Sequence, residues 1–219
     1  MKKAHLIPVL FLLIFYSCKQ KENAAAVNKI PSTSIDSFLV TDSSWGMITA
    51  QTDIAKLKAF YGESNLMDIR ECDAECMDSI DVTKLYPGTK NEVTIYWDDT
   101  AYHQIIREIN CFGDNPDWHS AEGIKMGSGL RDLLAINGKK ISFYGFGWDY
   151  SGGVVGYNGG KLENSFIQYR LGYKEGVKVD QSLYGDTALD SDMPEVQKIL
   201  DQIYIEWITL NFLRPSAEE

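Results

Sequence analysis

The chain has 219 residues and sets 21 Lys and Arg against 31 Asp and Glu, a net charge of −10. That balance opposes nucleic acid or an anionic bilayer surface as partner, since both call for basic faces. An apolar share of 44% is ordinary for a globular protein, and the length suits one large domain or two small ones.

The first element is an address. Met1-Lys2-Lys3 leads into an apolar run from Leu6 to Tyr16, and Ser17-Cys18 follows. A basic start, a short apolar stretch and a small residue before the cut describe a secretory signal peptide over 1–17. The run falls short of the roughly 20 apolar residues a spanning helix needs, and Pro8 interrupts it. Cys18 directly after Ser17 makes the segment resemble a bacterial lipoprotein signal. Phe15 and Tyr16 stand where that family usually has Leu and a small residue, a departure that Bacteroidota-type lipoproteins tolerate. The resemblance implies that Cys18 becomes the first mature residue and carries two or three acyl chains, palmitate among them. It also implies a protein anchored in the cell envelope, at the outer membrane of a Gram-negative bacterium. Two or more chains hold firmly, at about 0.8 kcal/mol per buried methylene. Cleavage would leave 19 Lys and Arg against 31 Asp and Glu, a net charge of −12. The alternative is an ordinary signal peptide cut elsewhere, with Cys18 discarded.

Residues 18–44 are rich in Lys, Gln, Asn, Ala, Ser and Thr and lack periodicity, so they read as the lipidated terminus and a flexible tether of roughly 25–30 Å. Phe38-Leu39-Val40 has the composition of a first strand.

Beyond the tether the pattern repeats at an offset of 76 residues. Ile48 matches Ile124, Thr52 matches Ser128, and Ile54, Leu57 and Phe60 match Leu130, Leu133 and Ile136. Gly62 matches Gly138, and Val93, Ile95 and Trp97 match Tyr169, Leu171 and Tyr173. Each half then predicts a short strand, a helix capped by Thr52 or Ser128, a left-handed stop at Gly62 or Gly138, and alternating strands such as 92–97, 104–111 and 166–173. The expected fold is α+β: two tandem βαβββ-like units, 45–116 and 117–219, each setting a helix on an antiparallel sheet. At the C-terminus, Asp192 and Glu195 resemble a capping box, and Val196, Ile199, Leu200, Ile203 and Trp207 form an apolar stripe that predicts a core-packing helix.

The densest local signal runs from Tyr144 through Gly145, Phe146, Gly147, Trp148, Asp149, Tyr150 and Ser151 to Gly152-Gly153. Eleven of the 18 glycines fall between Gly123 and Gly160, which marks unusual backbone demands. As a strand, Tyr144, Phe146, Trp148 and Tyr150 share one face. That face is either core or an aromatic platform, with Asp149 beside it, for a protein partner or a glycan. The exposure of Trp148 and Tyr150 decides between the two.

The first half places Glu71-Cys72-Asp73-Ala74-Glu75-Cys76 at the matching position. Cys72, Cys76 and Cys111 allow one disulfide in an oxidising compartment, with the pairing open. The pair Cys72 and Cys76 lacks the two further ligands of a closed metal site, so no metal or other cofactor is expected. His103 and His119 read as structural or surface residues. Met126-Gly127-Ser128-Gly129 opens the second helix and reads as a cap rather than an anion cradle. Asp98, Asp99 and Asp149 read as strand-end turns rather than paired catalytic carboxylates. No nucleophile elbow or zinc-protease motif is present in the sequence, and no residue is nominated as catalytic.

The stretch 123–162 resembles a family of uncharacterised Bacteroidota lipoproteins. The residues that carry it are Gly123-Ile124 with Gly127, Asn137-Gly138, the run from Gly145 to Tyr150, and Gly159-Gly160-Lys161-Leu162. The doubled architecture also resembles, in fold, the β-lactamase inhibitor protein and small outer-membrane lipoproteins of the SmpA/OmlA type. The resemblance implies no known activity. The expectation is an envelope lipoprotein that works by binding a protein partner or assembly through Tyr144, Trp148, Asp149 and Tyr150. The alternative is a glycan-binding or glycan-processing surface protein using the same residues.

Overall fold

The computed structural model describes residues 36–72 and 79–213. The signal segment, Cys18, most of the tether and Cys76 lie outside the described residues.

The fold is α+β with mostly antiparallel sheets. Strands β1 (Leu39–Thr41), β2 (Ser44–Trp45) and β3 (Ile48–Thr49) come first, followed by helix α1 (Ile54–Tyr61). A four-strand meander follows: β4 (Leu66–Cys72), β5 (Ser79–Leu85), β6 (Val93–Trp97) and β7 (Ile106–Phe112). The second half runs β8 (His119–Ser120), α2 (Leu130–Asn137), β9 (Ser142–Tyr144), β10 (Val154–Gly156), β11 (Ile167–Tyr173), β12 (Ala188–Asp190), α3 (Pro194–Lys198) and β13 (Ile203–Asn211).

The expected repeat is visible in the helices: α1 opens at Ile54 and α2 at Leu130, 76 residues apart. Their caps sit one residue later than Thr52 and Ser128. The Asp53 carboxylate accepts the Lys56 amide at 2.8 Å, and Asp132 accepts the amide of Gly129 at 3.0 Å. A carboxylate satisfies a helix-end donor better than a hydroxyl, because its charge also meets the positive end of the helix. Gly138 is left-handed as expected, at φ 71° and ψ 4°, and donates to Leu134 O. Gly62 has φ 81° but ψ 141°, outside the left-handed cap, and leads through a single 3-10 turn at Glu63–Asn65 into β4.

The two halves are not separate bodies. A six-stranded sheet in the order β11-β13-β7-β6-β5-β4 takes strands from both, with β13 and β7 joining them antiparallel. In the four-stranded sheet β1 pairs in parallel with β8, so the strand expected at Phe38-Leu39-Val40 is present as Leu39–Thr41, and the end of the 18–44 segment belongs to the fold. Val40 is buried there, which fixes the strand register. A third sheet has the order β10-β9-β12. Leu57, Leu130 and Leu133 of the helices pack into one core with Ile95, Ile109, Ile205 and Ile208 of the large sheet and with Trp45 and Trp118. Each such aliphatic side chain contributes roughly 1.5–3 kcal/mol by leaving water.

A helix is present near the C-terminus, but it is shorter than its apolar stripe. Pro194 occupies its first turn, Met193 rather than Asp192 precedes it, and it ends at Lys198. Residues 203–211 form β13 instead. The register between β11 and β13 shifts between Arg170 and Leu171, which face Trp207 and Ile205, leaving Glu206 as the extra residue of a bulge. That bulge breaks the period-2 alternation and gives the apolar residues a helix-like spacing. The β-branched residues Ile203, Ile205 and Ile208 and the central place in the sheet decide for strand.

Among the described residues no helix is long and apolar enough to cross a membrane.

Candidate functional site: a glycine-locked aromatic loop

The segment from Tyr144 to Gly153 is not one straight strand. β9 ends at Tyr144, and Gly145 passes so close to the neighbouring chain that a Cβ there would lie 2.5 Å from Gly185 O. Phe146 then pairs in parallel with Tyr184, its amide donating to Leu183 O at 2.8 Å. At Gly147 (φ 82°) the chain turns, and its amide donates to Ser151 Oγ at 3.0 Å. Ser151 N donates to Trp148 O at 2.9 Å, and Gly153 N to Tyr150 O at 2.8 Å. Gly152 (φ 68°) donates to the carbonyls of both Tyr144 and Gly145, while its own carbonyl accepts the Leu171 amide at 2.8 Å. A Cβ on Gly152 would collide with the Leu171 carbonyl. The glycines therefore let the loop pack backbone to backbone against β11 and the 183–185 segment, a use of glycine that no other residue permits.

This loop splits the aromatic stripe. Phe143 and Phe146 are in the core, Phe146 only 2% exposed. Trp148 and Tyr150 project from the tip at 64% and 59% exposure, with Asp149 exposed between them. Tyr144, half-buried, rests against Tyr150 with ring centroids 5.1 Å apart. The candidate surface of Tyr144, Trp148, Asp149 and Tyr150 is thus assembled, and Phe146 belongs beneath it.

Two further tyrosines extend the surface. Tyr184, 42% exposed, lies where a Cβ on Gly147 would approach its ring to 3.0 Å, and its hydroxyl meets that of Tyr173 at 3.1 Å. That hydrogen bond, then partial burial, pushes the Tyr173 phenol above its usual range. Tyr173 in turn stands edge-on to Phe146 at 5.0 Å, so core and surface are tied together. Tyr184 sits in a turn, more than thirty residues from Trp148, and no local periodicity marks it. Only the density of Tyr between 144 and 184 points that way.

The remaining candidates are structural. Cys72, at the end of β4, is disulfide-bonded. Cys111 is a free thiol in the core, pushed up to about 12 by burial, and so is neither in that bridge nor a nucleophile at neutral pH. Asp99 Oδ1 accepts the amides of Gln104 and Ile105, both at 2.9 Å, and these backbone bonds hold its carboxyl below the usual range. His103 stacks on Trp97 at 4.9 Å, and its carbonyl accepts the Ile54 amide at the start of α1. His119 Nε2 meets Asp36 at 3.1 Å. The amide of Gly129 is taken by Asp132, so the helix start there is capped by the chain's own carboxylate. Among the described residues no three His, Cys, Asp or Glu side chains converge as a metal site.

No family model and no curated protein matches the chain. Among solved structures, that of an uncharacterised Escherichia coli protein, yfeY, aligns over 78% of this chain and 98% of that chain, at 16% identity and a TM-score of 0.46.

Proposed function

We propose that the protein is a cell-envelope lipoprotein, anchored through Cys18, that works by binding a protein partner through the aromatic loop. One observation carries this: Trp148 and Tyr150 are held well exposed on a loop whose backbone is locked by close glycine packing. A folded chain gains nothing in stability from leaving two large rings in water. A rigid loop lowers the entropy lost on association, and Trp and Tyr supply the largest share of energy at protein interfaces. Asp149 at the tip and the acidic balance of the whole chain favour a partner with a basic rim.

A photo-crosslinking amino acid at position 148 of the full chain in its own envelope tests this. The expected result is a discrete adduct with one other protein from position 148 and none from position 60, an exposed aromatic site on α1. Adducts of the same kind from both positions, or from neither, would overturn the proposal. Binding to a glycan array that disappears in Trp148→Ala, without a protein adduct, would transfer the function to the glycan alternative.

A further inference from the structure

A cleft of about 250 Å³ opens on the face of the large sheet away from the core, beneath the return of the aromatic loop. Its walls are Gly153 of the loop, Val154 of β10, Gln168, Tyr169 and Arg170 of β11, Trp207 and Thr209 of β13, and Asn110 and Glu108 of β7. The strand register orders these side chains. Arg170, Trp207 and Phe112 form one cross-strand row. Gln168, Thr209 and Asn110 form the next, and Glu108 with Asn211 the one beyond. A cationic row and an anionic row thus flank a neutral polar row.

The middle row is already organised: Thr209 Oγ1 donates to Asn110 Oδ1 at 2.6 Å. The two ends are not. Arg170 stacks on Trp207, 4.8 Å from the ring centroid, and makes no hydrogen bond or ion pair among the described residues. A guanidinium offers five donors, and stacking uses none of them. Glu206 lies near enough to Arg170 to feel its charge without forming an ion pair. Glu108 accepts only a long 3.4 Å contact from Asn110 Nδ2 among the described residues. Half-buried charges held apart on one floor, each with free hydrogen-bonding capacity, are complementary to a ligand of opposite polarity.

We propose that this cleft binds a short zwitterionic peptide, of dipeptide size, with its carboxylate on Arg170 and its ammonium toward Glu108. The length fits. Four residues along the strands, about 13–14 Å, and two strand spacings of about 4.8 Å set the Arg170 and Glu108 backbones roughly 17 Å apart on the diagonal. Arg and Glu side chains reaching inward leave room for an extended dipeptide, which spans about 7 Å. The planar carboxylate matches the guanidinium fork, and the amides of Gln168 and Asn110 and the Thr209 hydroxyl face the peptide group. The site shares Gly153 with the aromatic loop but none of the exposed rings, so it stands or falls separately from partner binding there.

Calorimetric titration of the full chain with Ala-Ala, acetyl-Ala-Ala and Ala-Ala amide tests the assignment. Saturable binding of Ala-Ala is expected, about tenfold or more weaker when either end is blocked. Arg170→Gln should weaken Ala-Ala to the level of the amide, and in that variant the two ligands should bind alike. Glu108→Gln should do the same for the acetylated ligand. Phe60→Ala, on α1 and outside both surfaces, should leave all three unchanged. Absence of saturable binding, or equal binding of all three ligands to the unaltered chain, would overturn the proposal. The blocked ligands decide the matter on the unaltered protein even where a variant fails to fold.

Discussion

Strands β4 and β9 open at the same place in the two halves, 76 residues apart, yet the chain at their far ends is secured by different chemistry. β4 is a seven-residue strand that pairs in full with β5 and ends at Cys72, which is disulfide-bonded. β9 pairs with β10 at Ser142 and Phe143, and from Gly145 on the chain is fixed by glycine backbone packed against Leu171 and Gly185. A disulfide restrains the chain by a covalent link and leaves the side chains around it free to be polar. Backbone packing needs glycine at each point of contact, which concentrates the side chains that remain at the tip. In the second half those side chains are Trp148, Asp149 and Tyr150. The same hairpin position thus follows a long strand that ends at a disulfide-bonded cysteine in one half and carries a rigid aromatic display in the other.

The comparison can be broken at several points. Phe146→Ala empties the core directly under the loop and should cost about 3–5 kcal/mol in denaturant unfolding. A loss below 1 kcal/mol would mean that Phe146 does not anchor the loop. Gly152→Ala forces a side chain into the Leu171 carbonyl at a positive φ. It should cost about 3 kcal/mol and raise amide exchange at Leu171, whose N–H donates to Gly152 O. Cys72→Ser, or reduction of the unaltered chain, should cost about 2 kcal/mol and leave amide exchange at Gly147 and Gly152 unchanged. If reduction loosens those amides as well, the two hairpins are not independently secured.

A smaller effect concerns Glu206, the bulge residue. Burial raises its carboxyl above the usual value of 4.5, against an opposing pull from Arg170. A raised acid binds its proton more tightly in the folded state. Its stabilisation is therefore complete below about pH 4.5 and is lost as pH rises through the folded value. Glu206→Gln should match the unaltered chain near pH 4 and exceed it by about 1 °C or more in Tm at pH 7. A difference that stays constant across that range would contradict this account of Glu206.

The parts of the fold that were legible in the sequence are those set by local chemistry. The two helices, their 76-residue spacing and the stop at Gly138 follow from apolar periodicity and glycine placement. The strands near 92–97, 104–111 and 166–173 follow from β-branched and aromatic alternation. What was hidden depends on pairing across the chain. β13 reads as a helix because the bulge at Glu206 shifts Ile208 off the strand alternation. The glycine segment reads as a straight strand because the partners that bend it, Leu171 and the 183–185 turn, are distant in sequence. For the same reason Trp148 and Tyr150 share a face with Phe146 on paper but not in the fold. Tyr184, Arg170 and Trp207 carry no local motif and become visible only through strand register.

The most direct test of the central claim separates stability from binding at the loop tip. Trp148→Ala and Tyr150→Ala, singly and together, should be measured for thermal unfolding and for formation of the adduct from a photo-crosslinking amino acid placed at position 149, with Phe60→Ala as control. The account predicts unfolding free energies within about 0.5 kcal/mol of the unaltered chain, with the adduct lost in the loop variants and kept in Phe60→Ala. A large loss of stability in Trp148→Ala, or an undiminished adduct in the double variant, would contradict it.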